Sequence, residues 1–213
     1  VIGTREDNIW IAQREGRAKD SSDHTQPSVL RMMTLGGEGN HYESLRHMQV
    51  VPLTISYEYD PCDYLKAKEF QQKRDDATFK KSKQDDLDNM RVGILGKKGR
   101  VHYRTADCIN HWLEEYKDLS AKEFFEAVAA RIDRDIHAGY ELYPNNYVAA
   151  DLLEGGKRFA NHYTAKDVAR FEKYLQSRLD LIELPNKDEA YLRERMLTMY
   201  ANPLYNYLKA HEG

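Results

Sequence analysis

The feature that most constrains the fold is a change of pattern near residue 108. Before it, segments rich in β-branched and aromatic residues alternate with segments of helical periodicity. The strand-like segments are residues 8–13, 50–59 and 99–109, and the helical ones include residues 27–35 and 85–95. Strands that alternate with helices are typical of α/β layers with parallel pairing. For residues 1–107 we therefore predict the C-terminal part of an α/β core, a partial and mostly parallel sheet with flanking helices.

Residues 108–213 contain helical patterns only, so we predict an all-helical C-terminal region that packs on this core. Ser120 with Glu123 three residues later has the spacing of a capping box. A second helix is expected after Thr164, and a third one should be interrupted before Pro203 because proline disfavours the helical conformation of the preceding residue. The apolar stripes expected in the core are Leu175, Leu179 and Ile182, and Leu192, Met196 and Met199.

Composition excludes several classes of function. The formal net charge is −3, so no overall basic field indicates binding to nucleic acid. Cys62 and Cys108 are the only two cysteines, and they lack the spacing of metal ligands, so we expect neither a disulfide framework nor a metal site. The sequence contains no run of about 18 apolar residues, so it predicts no membrane-spanning helix.

A cluster of charged residues follows the first strand-like segment. It consists of Arg14, Glu15, Gly16, Arg17 and Lys19. Ligands of α/β proteins bind beyond the carboxyl ends of strands, and the planar guanidinium group of arginine suits a phosphate. The cluster therefore indicates a site for a small anionic group such as phosphate. The alternative is a surface loop of solvated charges.

The segment after the second strand, residues 56–70, is a further candidate. If the sheet is parallel, Glu58 would leave it near the predicted anion site, where its carboxylate could contact polar atoms of the ligand. Equally, Asp60 and Pro61 could simply turn the chain into the next helix.

Two stretches carry a resemblance to a known family. The stretch IWIAQREGRAKDS resembles the strand-plus-loop block of the glycerophospholipid acyltransferases, and VVPLTISYE resembles their Val-Pro block, in the same order. In that family the Glu-Gly block helps to bind the phosphate of the acceptor, which makes Glu15 and Gly16 the matched residues. Arg17 stands one place earlier than the family arginine, and Lys19 could supply a second positive charge.

The resemblance to 1-acylglycerol-3-phosphate acyltransferases implies transfer of a fatty acyl group to a hydroxyl of a phosphate-bearing lysoglycerolipid. The donor would be acyl-CoA or acyl carrier protein, with no other cofactor. The intact protein would work peripherally at the inner, cytoplasmic face of the cell membrane, with lysophospholipid and membrane surface as its partners.

The catalytic element of that family, Asn-His-x4-Asp, precedes the Glu-Gly block, and no histidine occurs before Trp10. The chain thus resembles a C-terminal part, and we expect the base to lie in preceding residues and this chain alone to be inactive. The string NHYTAKD, with His162 and Asp167, has the right spacing but the wrong position. We interpret Thr164 and Asp167 there as a helix cap.

Three rival hypotheses stay open. The first is a non-catalytic module that binds a phosphate ester or lipid. The second is a complete enzyme that uses His162 and Asp167, and the third is a helical interaction protein.

Overall fold

The computed structural model describes residues 8–14, 18–37 and 39–212. This part of the chain is mostly helical, with one small sheet. The helices are α1 Pro27–Met33, α2 His41–Met48, α3 Asp63–Asp75, α4 Lys83–Leu95, α5 Ala121–Ala138, α6 Pro144–Glu154, α7 Ala165–Leu179 and α8 Glu189–His211. The strands are β1 Leu53–Tyr57 and β2 Val101–Thr105. Short 3₁₀ helices lie at Ile109–His111, Leu113–Tyr116 and Ala160–His162.

The sheet corrects part of the predicted architecture. β1 and β2 pair antiparallel, from Leu53 opposite Thr105 to Tyr57 opposite Val101, so the described strands do not show the predicted parallel pairing. Residues 8–13 are described without strand structure, although they were predicted to form a strand. An apolar pattern identifies an extended segment but does not supply the neighbouring backbone that a strand needs for its hydrogen bonds. The broad α/β class holds, in a form dominated by helices.

The inner face of the sheet rests on the C-terminal end of α5. The Thr54 hydroxyl donates to the carbonyl of Ile136 over 2.8 Å, and the backbone N–H of Glu141 donates to the Ser56 hydroxyl over 3.1 Å. Both hydroxyl residues are buried. Their hydrogen bonds compensate for the loss of water, so polar side chains are accommodated on the buried face.

Two apolar clusters form the interior. The first lies between α3, α6, α7 and α8, and the second between α1, α2 and α5. The predicted stripes belong to the first cluster, since all six of their residues are buried there. Each cluster includes residues from both sides of position 108, because α3 packs against α7 and α8 while α1 packs against α5. The helical region therefore packs directly on elements of the first half of the chain.

A buried ionic contact reinforces the first cluster. The carboxylate of Asp63, at the start of α3, accepts from Arg178 Nε at 2.7 Å and from the hydroxyls of Tyr174 and Tyr200 at 2.6 and 2.7 Å. Burial raises the pKa of Asp63, and the nearby Arg178 guanidinium opposes that shift. The carboxylate thus joins α3 to both α7 and α8.

The predicted interruption before Pro203 is wrong, since α8 continues through this residue to His211. Proline removes one helical hydrogen bond and normally kinks a helix. Here the neighbouring Ala201 and Leu204 are buried, and the side-chain amide of Asn202 donates to the carbonyl of Asp20 over 2.7 Å. Packing along α8 therefore compensates for the lost bond.

No helix of the described residues is both long and apolar enough to cross a bilayer.

Candidate functional site

A cavity of about 1050 Å³, partly open to solvent, is lined by parts of the two segments on which the family resemblance was based. Residues 8–14 and residues 47–53 both line it. Apolar side chains from α1 and α5 add a further surface: Val29, Leu30, Met33, Ile132 and Ile136. Two stretches separated by about 40 positions in the sequence thus border one cavity.

The loop of residues 18–25, called here the anchored loop, contributes Ala18, Asp23 and Thr25 to the lining of this cavity. Its Thr25 N–H donates to Asp133 on α5 over 2.7 Å, and His137 Nε2 lies 3.1 Å from the carbonyl oxygen of Asp23. Burial lowers the pKa of His137, so its imidazole is neutral at neutral pH and can donate to that carbonyl. These contacts fix the loop to α5.

Other helices hold the anchored loop from the opposite side. Asn202 on α8 donates to the carbonyl of Asp20, and Lys66 Nζ on α3 lies 3.4 Å from the carbonyl of Ala18. Ala18 itself is 6% exposed. Because three helices hold the anchored loop, the loop can keep its conformation before a ligand binds, and binding then costs less conformational entropy.

Among the described residues, the arginine and lysine side chains that line the cavity are those of Arg14 and Lys66. Arg14 lies 3.7 Å from the carboxylate of Asp23, with its side chain 30% exposed. Lys66 Nζ lies 2.6 Å from Asp60 and was not singled out in the sequence. Arg14 is therefore the predicted substrate-binding residue that the structure brings to the cavity.

Lys19, another predicted substrate-binding residue, contacts the buried carboxylate of Glu69 on α3. Lys73 and Lys81 lie 3.1 and 2.6 Å from the same carboxylate. Burial lowers the pKa of Lys19, and the contact with Glu69 opposes this shift in part. The ammonium group of Lys19 is thus directed to α3.

Glu58, also predicted to bind substrate, lies directly after β1 at the end of the sheet. Its carboxylate accepts from the backbone N–H of Arg100 at 3.0 Å and from Arg100 Nε at 3.2 Å. Burial alone would raise the pKa of Glu58, but the hydrogen bonds from Arg100 hold it below its usual value. In this structure the carboxylate therefore has a partner within the protein.

Glu15, Gly16 and Arg17 lie outside the described residues, so their assignment as substrate-binding residues stays a prediction. The residues on either side of them, Arg14 and Ala18, both line the cavity.

The late motif forms a helix cap. The Asp167 carboxylate accepts from the Thr164 N–H at 2.9 Å and from its hydroxyl at 2.7 Å, which confirms the capping interpretation. The His162 ring instead stacks on Tyr147, with centroids 4.3 Å apart and planes inclined by 7°. Asp167 thus caps α7, whereas His162 packs against Tyr147 of α6.

Sequence reasoning missed a histidine–carboxylate contact between the anchored loop and α5. His24 Nδ1 lies 3.2 Å from Asp133 Oδ2, and its Nε2 lies 3.4 Å from the Ser22 hydroxyl. A carboxylate in this position orients an imidazole, as general bases require. The two residues are 109 positions apart, so no local motif could have revealed the contact. His47 and His111 do line the cavity, but neither belongs to a sequence motif.

A smaller cavity of about 330 Å³ adjoins the first one. Lys66 and Tyr140 belong to the walls of both cavities. The smaller cavity extends towards the end of α4, where Gly93 and Lys98 line it. Among the described residues, no group of three or more His, Cys, Asp or Glu side chains could hold a metal ion.

Comparisons with protein-family models, with curated proteins and with solved structures gave no match for this chain. Its function therefore has to be argued from the site.

Proposed function

We propose that the chain is part of an acyltransferase and forms the side of its active site that binds the phosphate of the acceptor. The reaction would move a fatty acyl group from acyl-CoA or acyl carrier protein to a hydroxyl of a phosphate-bearing lysoglycerolipid. The observation that carries the proposal is the meeting of residues 8–14 and 47–53 at one cavity, with Arg14 at its rim and an apolar wall behind it.

The character of the cavity supports a lipid acceptor. Its volume of about 1050 Å³ lies at the upper end of the range for ligand pockets, roughly 300–1,000 Å³. The aliphatic side chains of α1 and α5 can cover part of an acyl chain. Arg14 can donate two parallel hydrogen bonds to a phosphate, which an ammonium group cannot do with the same geometry.

The chemistry would need a general base for the acceptor hydroxyl. In the proposed reaction an aspartate-oriented histidine removes the hydroxyl proton, the oxygen attacks the thioester carbonyl, and the thiol leaves with a proton. We propose that this histidine belongs to the intact protein outside this chain, which would then bind its acceptor without turnover. Peripheral attachment to the inner face of the cell membrane is part of the same proposal.

Calorimetric titration of this chain with 1-acylglycerol 3-phosphate and with the phosphate-free 1-acylglycerol tests the proposal. We expect the phosphate ester to bind more tightly, and Arg14→Gln to weaken its binding about 10-fold or more, because a charge-assisted hydrogen bond contributes about 1.5–3 kcal/mol.

Arg170→Gln is the matched control for this titration. Arg170 lies 3.7 Å from Asp167, as Arg14 lies 3.7 Å from Asp23, but it is on α7. Equal affinity for the two lipids, or equal losses in the two variants, would contradict an acceptor-phosphate site.

A non-catalytic module that binds phosphate esters is the second candidate. Asp23, a carboxylate in the cavity wall, contacts Arg14 and the Ala18 N–H. It therefore does not orient a histidine as a general base, which favours binding without catalysis. Assays of the intact protein with acyl-CoA and the lysolipid separate the two functions. Acyl transfer supports the enzyme, and binding without transfer supports the module.

A further inference from the structure

The segment from residue 89 to residue 106 has an unusual charge pattern. It contains Arg91, Lys97, Lys98, Arg100 and Arg104 but neither aspartate nor glutamate, in a chain whose net charge is −3. The segment comprises the C-terminal half of α4, the following turn and β2. Together with the exposed face of α4 and with Tyr57 of β1, we call it the basic–apolar surface.

One face of α4 is held against the start of α3. The carbonyl of the buried Asn89 accepts from Cys62 Sγ at 3.4 Å. A Cβ atom at Gly93 would lie 3.4 Å from the same sulfur, which is an ordinary van der Waals distance, so this face of α4 lies next to Cys62.

The opposite face of α4 carries exposed aliphatic side chains. Leu87, Met90 and Ile94 follow one another at spacings of three and four residues and are 60%, 51% and 71% exposed. Leu95, at the end of the helix, is 73% exposed. A stripe that would normally face a core therefore faces outward.

The apolar surface continues on the sheet. Val101 and Tyr103, on the outer face of β2, are 41% and 60% exposed. Lys98 Nζ lies 5.9 Å from the ring centroid of Tyr57, and it also lies 3.1 Å from the carbonyl of Ile94. Lys98 thus connects the end of α4 to the sheet.

The positive charges of this surface have few acidic neighbours. Arg100 pairs with Glu58. Within residues 8–14, 18–37 and 39–212, no carboxylate forms an ion pair with Arg91, Lys97 or Arg104. Asp85, Asp86 and Asp88 lie beside Leu87 in the N-terminal half of α4, so the net positive charge adjoins Ile94, Leu95 and Val101.

We propose that the basic–apolar surface docks on an anionic lipid bilayer. Aliphatic and tyrosine side chains can enter the interface while lysine and arginine contact the phosphate groups of the lipids. A second copy of the chain fits less well, since a two-fold contact would bring the same positive patches together. An acidic protein would satisfy the charges, but interface centres are depleted of charge, and here the charges are interspersed with the aliphatic groups.

The place of this surface relative to the cavities agrees with a bilayer. Tyr57, Gly93 and Lys98 line the smaller cavity, which shares Lys66 and Tyr140 with the larger one. A lipid could pass from the membrane towards the candidate site along this route. The docking proposal rests on the proposed function for its membrane setting and names the surface that would make the peripheral attachment.

Co-sedimentation with vesicles tests the docking without any lysolipid. We expect this chain to bind vesicles of phosphatidylglycerol and phosphatidylcholine, and to bind pure phosphatidylcholine far less. Arg91→Gln and Lys97→Gln should each weaken binding about 5-fold, since one basic residue contributes about 1 kcal/mol at an anionic surface. Leu95→Glu should weaken it about 10-fold or more, because a leucine that enters an apolar phase contributes about 1.5–3 kcal/mol.

Leu35→Glu is the matched control, because Leu35 is 74% exposed but lies outside this surface. Circular dichroism would establish that all variants fold. Equal losses in Leu35→Glu and Leu95→Glu, or no binding of the wild-type chain to anionic vesicles, would overturn the proposal.

Two further outcomes would identify another occupant and also overturn it. One is dimerisation without lipid that Leu95→Glu abolishes, measured by analytical ultracentrifugation. The other is binding of polyglutamate that competes with vesicles and is insensitive to Leu95→Glu. Because no lysolipid is used, failure of vesicle docking and failure of the acyltransferase proposal are separate results.

Discussion

At the scale of single residues, Glu69 shows how a buried charge can be stabilised. Its side chain is 4% exposed, and the ammonium groups of Lys19, Lys73 and Lys81 surround its carboxylate. Burial alone would raise the pKa of Glu69, but the hydrogen bonds from the three lysines hold it below its usual value. The carboxylate is therefore charged at neutral pH and holds three cations near α3.

This arrangement predicts a pH-dependent contribution to stability. The folded protein binds a proton at Glu69 less readily than the unfolded chain does, so the contribution is present above the unfolded pKa and is lost as pH falls through the folded one. We expect Glu69→Gln to lower the free energy of unfolding by about 2 kcal/mol at pH 7. The difference from wild type should shrink below pH 4, as measured by urea unfolding.

Glu172→Gln is a suitable control for this prediction. Its carboxylate is 37% exposed and pairs with Arg193 alone on neighbouring helices. A surface ion pair contributes about 0–1 kcal/mol, so its loss should be small at either pH. If both variants lowered the free energy of unfolding equally, the proposed stabilising role of the buried Glu69 would be contradicted.

At the scale of elements, the start of α7 gives a second prediction. Thr164 and Asp167 satisfy each other's backbone N–H groups in a capping box. Thr164→Ala should lower the free energy of unfolding by about 1 kcal/mol, whereas Thr164→Ser keeps the hydroxyl and should cost much less. Thermal unfolding monitored by circular dichroism would measure both.

The same variants examine the rival hypothesis of a catalytic His162 and Asp167. If these residues only pack and cap, Thr164→Ala and His162→Ala leave lysolipid binding and the activity of the intact protein unchanged. Loss of turnover in His162→Ala with unchanged folding would contradict this expectation.

The elements also show what the sequence could predict. The starts of α5 and α7 were predictable, because the capping boxes at Ser120 and Thr164 and the apolar stripes are local signals. The antiparallel pairing of β1 and β2 was not, since a strand pattern does not specify its neighbour. The predicted interruption before Pro203 was wrong because the packing of α8 outweighs the local effect of proline.

The site follows the same division. Two short motifs directed attention to residues 9–21 and 50–58, parts of which line the cavity together with the predicted Arg14, whose role in binding stays a prediction. The contacts of Lys19 with Glu69 and of His24 with Asp133 join residues 50 and 109 positions apart. Such pairs depend on how helices pack, which no single stretch of sequence encodes.

At the scale of the whole molecule, the two apolar clusters determine whether the chain unfolds as one unit. Each contains residues from both halves of the sequence, and α5 of the second cluster packs against α8 of the first. The packing of α5 on α8 makes independent unfolding costly, since loss of one cluster exposes apolar surface of the other. The predicted boundary between residues 107 and 108 therefore need not separate two units of stability.

The two tryptophans allow this coupling to be measured. Trp112 is buried in the second cluster, whereas Trp10 is 72% exposed. In a Trp10→Phe background, fluorescence therefore reports on the second cluster. Phe171→Ala, in the first cluster, should lower the free energy of unfolding by about 3–5 kcal/mol, and the Trp112 transition should shift as far as the far-ultraviolet circular dichroism transition.

Leu181→Ala, at a side chain that is 52% exposed, should shift neither transition by more than about 0.5 kcal/mol. Two coincident transitions in Phe171→Ala would mean that α5 and α8 transmit the loss from one cluster to the other. If the Trp112 transition stayed at its original denaturant concentration while circular dichroism fell earlier, the clusters would be separate units of stability. The cavity, whose walls come from residues 8–14, from the segment before β1 and from α1 and α5, would then keep its α1–α5 wall after the first cluster had unfolded.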